Sequence, residues 1–450
     1  MIRLDEFIDR LLKAAAEAGI DPAEVYCAES SAFSAEAIDG NVDRYEVSET
    51  CGLGLRGMVN GKTGYASTEA FDEDAIRMLV RGVQESAALV ETDEQDEIFA
   101  GDPEYPVLET PENDLDSITA EEKLQFALDM EKSARGADPR IVKCEGSYVS
   151  TGRGTLRLVN SCGLNLKTET PPGGYAMAGI WLVGRDGESA STGGESEAGR
   201  KFRDLDPEKI GRQAAEKTAA MLNASPVESG VYRAVIRRDA MRSLLRTFCG
   251  IFSADNAQKK LSLLDGREGE TIAASCVTLM DDPLLPGGFA SAPFDGEGSA
   301  CRTKAVIENG VLKTLLHSRK TARKAGTAST GNARRSVSSP VQVAPTNFFF
   351  RPGEKDLDTL LAEMGEGLMV TELGGLHAGA NPVSGDFSLL AKGFRVTGGK
   401  QGQPVEQITI AGNFYQLLKE IRAVGSDLEF KGSNIGSPSV DAGTLHVAGK

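Results

Sequence analysis

Apolar and polar positions change their period several times along the chain, and each change marks an element. Near the N-terminus Leu4, Phe7, Ile8, Leu11 and Leu12 recur at helical spacing among acids and bases, which predicts an amphipathic helix. Alternating strand-like runs follow at residues 24–29 and again at 140–145. The first is preceded by Gly19-Ile20-Asp21-Pro22 and the second by Gly136-Ala137-Asp138-Pro139. Further features return in the same order. Cys51-Gly52-Leu53 and Cys162-Gly163-Leu164 open alternating strands, and Ala66-Ser67-Thr68 and Ala190-Ser191-Thr192 close hairpin strands. A helix then follows Asp72-Glu73-Asp74 and Asp206-Pro207-Glu208. Asp206 fits an N-cap, with Pro207 at the first helical position. The first half therefore reads as a duplicated unit of helix, antiparallel strands and helix, repeat 1 at residues 1–92 and repeat 2 at 118–222.

Residues 223–226 fit a joint. Beyond them come a strand at 231–236 and a helix from Asp239, whose Met241, Leu244, Leu245, Phe248 and Phe252 mark one buried face. The remainder is strand and turn, at 272–280, 303–308, 311–316, 346–350, 394–397 and 407–411, with short helices at 357–364 and 414–421. Asn309-Gly310 between two of these runs is a hairpin-turn signal. The expected class is α+β: a duplicated N-terminal half, 1–222, then a large, mostly antiparallel β domain, 223–450.

Composition narrows the compartment and the partners. Fifty-one glycines against 18 prolines suit a strand-rich chain with many tight turns. The N-terminal segment has no continuous apolar core, and no run approaches the ~20 apolar residues that cross a bilayer, so neither a signal peptide nor a membrane span is expected. Seven cysteines, at 27, 51, 144, 162, 249, 276 and 301, form no Cys-x-x-Cys pair and are odd in number. They read as reduced and mostly buried thiols of a cytoplasmic protein. A net charge of −17 repels phosphate backbones and disfavours direct nucleic-acid binding.

That charge is uneven. Residues 82–122 hold no Lys or Arg, and about 93–117 reads as an acidic extended linker. Residues 309–353 hold no Asp or Glu, while Lys313, Arg319, Lys320, Arg323, Lys324, Arg334, Arg335 and Arg351 accumulate. A solvated face pairing with acids elsewhere is the expectation. An anion or peptide-carboxylate site is the alternative, and it requires those arginines to converge.

Most candidate chemistry fails on spacing. Gly57-Met58-Val59-Asn60-Gly61-Lys62-Thr63 has Arg56 where a phosphate loop needs its first glycine, so a hairpin turn accounts for it better. Gly374-Gly375-Leu376-His377-Ala378-Gly379 lacks the strand–helix context and acidic partner of a dinucleotide site. Asp281-Asp282 and Asp295-Gly296-Glu297 match no metal spacing and read as turns. Three histidines, His317, His377 and His446, are too far apart in sequence for a helical metal pair, and each reads as structural.

A set of motifs in combination is more specific. Asp295-Gly296-Glu297-Gly298 leads to Ile307-Glu308-Asn309-Gly310-Val311-Leu312-Lys313, then to Ser329-Thr330-Gly331-Asn332-Ala333-Arg334-Arg335, Thr346-Asn347 and Pro352-Gly353. Gly385-Asp386-Phe387-Ser388 and Ile410-Ala411-Gly412-Asn413 follow. Together they resemble the TldD/PmbA (TldD/TldE) family over essentially the whole chain, a family whose older members were named modulators of DNA gyrase. The ending, Val424-Gly425-Ser426-Asp427 and Ser433-Asn434-Ile435, is similar to the PmbA (TldE) branch.

The resemblance implies a zinc metalloprotease scaffold. In its catalytic members two histidines on one helix and a cysteine near the C-terminus hold the metal, and a glutamate takes a proton from bound water. Carried onto this chain, the first histidine falls on Arg246, the glutamate on Thr247, the second histidine on Ile251, and the cysteine near Gly436 or Ser437; Gly250 matches. The resemblance thus implies a subunit that binds no cofactor of its own. It would pair with a TldD-like catalytic chain that carries the zinc, or form a homodimer, around a cleft for unfolded peptides. Gly374, Gly375, His377, Asn381 and Gly385 are the cleft candidates, since glycines let a peptide backbone approach closely. Two other readings remain open: a homodimeric peptide-binding or regulatory protein with no protease partner, and a metallohydrolase with other ligands such as His377 and Asp386.

Overall fold

A computed structural model of the chain describes residues 2–91 and 97–450. The first half runs α1 (Leu4–Glu17), β1 (Ala23–Ile38), β2 (Asn41–Val59), β3 (Lys62–Thr68) and α2 (Glu73–Ala88). It continues with α3 (Ala120–Ala137), β4 (Ile141–Asn160), β5 (Asn165–Glu169), β6 (Tyr175–Asp186), β7 (Ser189–Gly199) and α4 (Pro207–Ala220). These strands make a single antiparallel sheet in the order β3-β2-β1-β4-β6-β7, with β5 pairing β4. Asn60 and Gly61 take positive φ at the β2–β3 turn, so the glycine-rich stretch expected to be a hairpin is one. Asp206 caps α4 by accepting from the Glu208 and Lys209 amides. Phe7, Ile8 and Leu11 of α1 are buried with Leu79 and Val83 of α2 against Leu53 and Leu55 of the sheet. Burying each such side chain contributes roughly 1.5–3 kcal/mol.

The second half holds β8 (Gly230–Ile236), α5 (Arg238–Phe248), α6 (Ala254–Gln258), β9 (Leu279–Asp281), β10 (Lys304–Glu308) and β11 (Val311–Leu312). Next come α7 (Arg319–Ala325), β12 (Ala333–Arg334), β13 (Gln342–Val343), β14 (Phe348–Phe350), α8 (Leu357–Met364) and β15 (Gly367–Gly374). The last elements are α9 (Leu376–Gly379), β16 (Asp386–Thr397), β17 (Lys400–Asn413), α10 (Phe414–Glu420), β18 (Ala423–Val424), β19 (Ile435–Gly436) and β20 (Val440–Ala448). They form a six-stranded sheet β17-β16-β15-β8-β20-β18, a five-stranded sheet β11-β10-β9-β14-β19 and a small β12-β13 pair. Pairing is antiparallel except for β15 with β8 and β14 with β19. Helix α5 lies in the middle of the largest core. Met241, Leu244, Leu245, Phe248 and Phe252 are all fully buried, as their spacing predicts.

Four expectations need correction. Residues 272–280 are not a strand: only Leu279 and Met280 join β9, because the Ile272 and Ala273 amides both donate to the Gly310 carbonyl and the Val277 amide turns back to Ala274. The run 311–316 is strand only at Val311 and Leu312, although Asn309-Gly310 does form the hairpin. Two repeat markers are misplaced: Ala190, Ser191 and Thr192 lie at the start of β7, not at a strand end, and Cys51-Gly52-Leu53 lies inside β2, not at its opening. The thiols are less buried than expected: Cys27, Cys144 and Cys301 are buried, but Cys162 and Cys276 are exposed.

Residues 92–96, at the expected end of the first repeat and start of the acidic linker, lie outside the described residues. From Glu97 onward the segment packs on the second half: Glu97 pairs with Arg319 at 2.6 Å, Asp102 accepts from the Ala300 amide, and Tyr105 donates to the Gly298 carbonyl. The basic run pairs with acids elsewhere at several points, through Arg319 and Arg323 with Glu97, Lys313 with Glu308, and Arg335 with Glu24. No helix among the described residues is long and apolar enough to cross a membrane.

Candidate functional site

Helix α5 carries two stripes. The apolar one faces the core. The other, Asp239, Arg242, Ser243, Arg246 and Thr247, repeats at the same helical spacing on the opposite side. That polar stripe forms the floor of a groove between the β7 edge of the first sheet and the second half of the chain. The groove consists of three adjoining hollows of about 550, 560 and 810 Å³. Arg242, Ser243, Ser196 and Lys431 are shared by the first and second hollows, and Arg246 and Ser433 by the second and third.

The first hollow is a charge network. Asp239 accepts from Arg237 at 2.9 Å and from Arg242 at 3.2 Å, with Lys431 at 3.6 Å. Glu195 of β7 is paired with Lys217 of α4 and with Lys431. Burial alone would raise the Asp239 carboxyl, but Lys431, Arg237, Lys217 and Arg242 together hold it at about 2. Burial likewise opposes ionisation of Glu195, and its two lysines lower it nonetheless. For Lys217 burial wins over the pairing and the ammonium is shifted down, whereas Asp239 and Glu195 outweigh burial at Lys431 and shift it up.

The Asp239 shift sets a pH-dependent stability. Its folded pKa lies below the unfolded value, so the stabilisation is fully present above about pH 4 and is lost as pH falls through about 2. A shift of this size corresponds to about 2 kcal/mol. Denaturant titration of Asp239→Asn at pH 7 is expected to show a loss of that order. By pH 3 roughly half the difference from wild type should remain; a pH-independent difference would contradict the assignment.

Of the four positions aligned with metal chemistry, only Arg246 and Thr247 reach the groove floor, and none carries a metal ligand. Arg246, an exposed fixed cation, donates to Ser433 Oγ. Thr247 Oγ1 donates to the Ser243 carbonyl at 2.9 Å. Helix α5 ends at Phe248 and tightens to a 3₁₀ turn, Cys249–Phe252, so Ile251 is on that turn and not on the helix. Tightening from ~100° to ~120° per residue carries position 251 to the side opposite Arg246. Ile251 is accordingly 1% exposed in the core. Gly436 and Ser437 lie at β19, beside α5; a Cβ on Gly436 would meet the Phe430 ring at 2.6 Å, and Ser437 Oγ donates to the Pro438 carbonyl. Cys249 is close by, but burial pushes its thiol up to about 11, away from the thiolate that metal ligation needs. These residues do not fit zinc. Among the described residues no group of three His, Cys, Asp or Glu side chains is arranged to hold a metal.

The peptide-cleft candidates separate. His377, on the short α9, lines the middle hollow with Leu376. Gly374 ends β15, and Gly375 adopts φ 73° with open space where a side chain would start. Asn381 and Gly385 lie away from these hollows, in the β15–β16 connection. There Asn381 Oδ1 accepts from the Val383 and Ser384 amides, and Gly385 sits under the Tyr415 ring. Asp386, the suggested partner of His377, is engaged by Asn413 at 2.8 Å. Sequence reading missed Arg242, Lys431 and Glu195. The polar stripe of α5 was a visible signal for Arg242. Lys431 and Glu195 meet only through tertiary structure.

The scaffold around this groove is shared with proteins of a family described as metallopeptidases. Residues 23–87, 113–222 and 229–449 match in turn the family models for PmbA/TldA metallopeptidase domain 1, the central domain and the C-terminal domain. The chain belongs to the PmbA/TldD family. It is 28% identical over 436 residues to the metalloprotease PmbA of Escherichia coli O157:H7, covering 96% of this chain and 93% of that one. A Thermotoga maritima crystal structure, described as that of a candidate modulator of a DNA gyrase, superposes with a TM-score of 0.92. It has 33% identity and covers 99% of this chain and all of its own. TldE from Thermococcus kodakarensis shares the fold, with a TM-score of 0.89 at 22% identity, covering 98% of this chain and 100% of its own.

Proposed function

We propose that this chain is the non-catalytic, TldE/PmbA-type subunit of a two-chain zinc metalloprotease that cleaves or matures unfolded peptides. The observation that carries the reading is the groove floor. Helix α5 keeps its apolar face and its place, while Arg246, Thr247, Ile251 and the Gly436-Ser437 corner offer no metal ligand or base. A TldD-like partner would supply zinc and the water-activating carboxylate. This chain would supply a wall of the peptide passage, where the β7 edge offers main-chain groups to an extended chain. The order of helix, strands and helix in each part of the first half supports an internal duplication, with domains at 1–222 and 223–450.

A cleavage assay on an unfolded casein or a peptide pool tests the reading, using this chain alone, a TldD-like chain alone, and the two mixed. Cleavage that needs the TldD-like chain and never arises from this chain alone is the expected result. Zinc-dependent cleavage by this chain alone would overturn it.

A further inference from the structure

The third hollow differs in charge from the rest of the groove. Arg246 and Arg334 line it together with Tyr148, Tyr175, Met177 and Phe289, and no Asp or Glu does so among the described residues. Next door, Lys431, Lys217 and Arg242 are each neutralised by Glu195 or Asp239. Arg246 has the Ser433 hydroxyl as its side-chain partner, and Arg334, on the short β12, projects exposed into the same hollow. In a chain of net charge −17, a concavity with two such guanidinium groups and no acid is an island of opposite sign. Guanidinium presents a planar fork of N–H donors that matches a carboxylate. The rings and the Met177 thioether beside it offer apolar surface.

Charge and apolar surface lining one hollow suit a residue that carries both on one Cα. We propose that this hollow receives the C-terminal residue of the bound peptide, its α-carboxylate on Arg246 and Arg334 and its side chain against Tyr148, Tyr175, Met177 and Phe289. The assignment rests on the peptide-passage reading. The carboxylate half of this recognition is blind to sequence, because every linear peptide ends in an α-carboxylate, while the rings and thioether favour an apolar last side chain.

Fluorescence anisotropy of the full chain tests it with N-terminally labelled alanine peptides that differ only at the last residue. One ends in leucine as the free acid, one in leucine as the C-terminal amide, and one in glutamate as the C-terminal amide. The free acid is expected to bind about tenfold more tightly than the leucine amide. Arg246→Gln combined with Arg334→Gln should reduce the free acid to the level of the amide, with unchanged circular dichroism and melting temperature because both side chains are exposed. Equal binding of acid and amide by the wild-type chain overturns the carboxylate site and leaves the peptide passage standing. Tight binding of the glutamate amide reassigns the hollow to acidic side chains and overturns the C-terminal assignment. Failure of all three peptides to bind overturns the C-terminal assignment, and the two-chain passage then stands or falls by the cleavage assay.

Discussion

Truncating Phe248 to alanine is expected to lower the unfolding free energy by about 3–5 kcal/mol. The ring is fully buried, stacked on Phe414 with centroids 4.7 Å apart and 11° between planes, and tilted against Phe387 at 6.3 Å. It sits at the last helical residue of α5, where the helix gives way to the 3₁₀ turn. Removing it opens a cavity between three elements that are pinned by separate sheets and helices, so collapse around the void is limited. Arg246 and Thr247 share its helical turn, so the groove floor should loosen with it. Urea denaturation reads the stability. A loss below about 1 kcal/mol would show that α5 is not seated on Phe387 and Phe414 as described.

Placing histidine at Arg246 and Ile251, the two aligned positions, is expected to fail as metal engineering and to harm the fold. In the double variant Arg246→His, Ile251→His, the first imidazole would face the groove and the second would enter the core. Burying an imidazole without a partner and losing the Ile251 packing should together cost about 2–4 kcal/mol, nearly all of it from position 251. The single variant Arg246→His should be close to neutral, since the guanidinium is exposed. Metal analysis after equilibration with zinc should find no stoichiometric ion. A folded double variant holding one zinc per chain would show that both residues reach one face, against the geometry of the 3₁₀ turn.

Elements governed by local periodicity were legible in the sequence. The α1 and α5 faces were readable because a two-sided helix repeats its apolar positions, and the Asn309-Gly310 hairpin because that pair tolerates the positive φ its turn requires. Residues 272–280 misled because they are apolar and flanked by turn residues, yet their amides are claimed by Gly310 and by the Leu418 carbonyl from far along the chain. The same distinction divides the site. Arg246 and Thr247 could be placed because they sit on α5, whose face was readable. Ile251 was assigned to the helix because no periodicity distinguishes a final α turn from a 3₁₀ turn. Arg334 was visible as one cation in a basic run, but its place beside Arg246, 88 residues earlier in sequence, comes from the packing of β12 against the groove.

The buried Glu24 cluster bears on how the molecule comes apart. Glu24 of β1 accepts from Arg56 of β2 at 3.2 Å and from Arg335 of the second half at 2.7 Å, and the side chains of Glu24 and Arg335 are at most 1% exposed. Pulling Arg335 away leaves Glu24 with one cation in place of two, and it also takes the guanidinium off the Tyr26 ring, 4.5 Å away on the same strand as Glu24. Removing one partner from a buried pair of this kind costs on the order of 3–5 kcal/mol. A fragment cut near residue 223 would therefore leave Glu24 with Arg56 alone on one side of the cut and Arg335 without its carboxylate on the other. The seam between the halves is a boundary in sequence and not in energy, and the chain should melt as one cooperative unit.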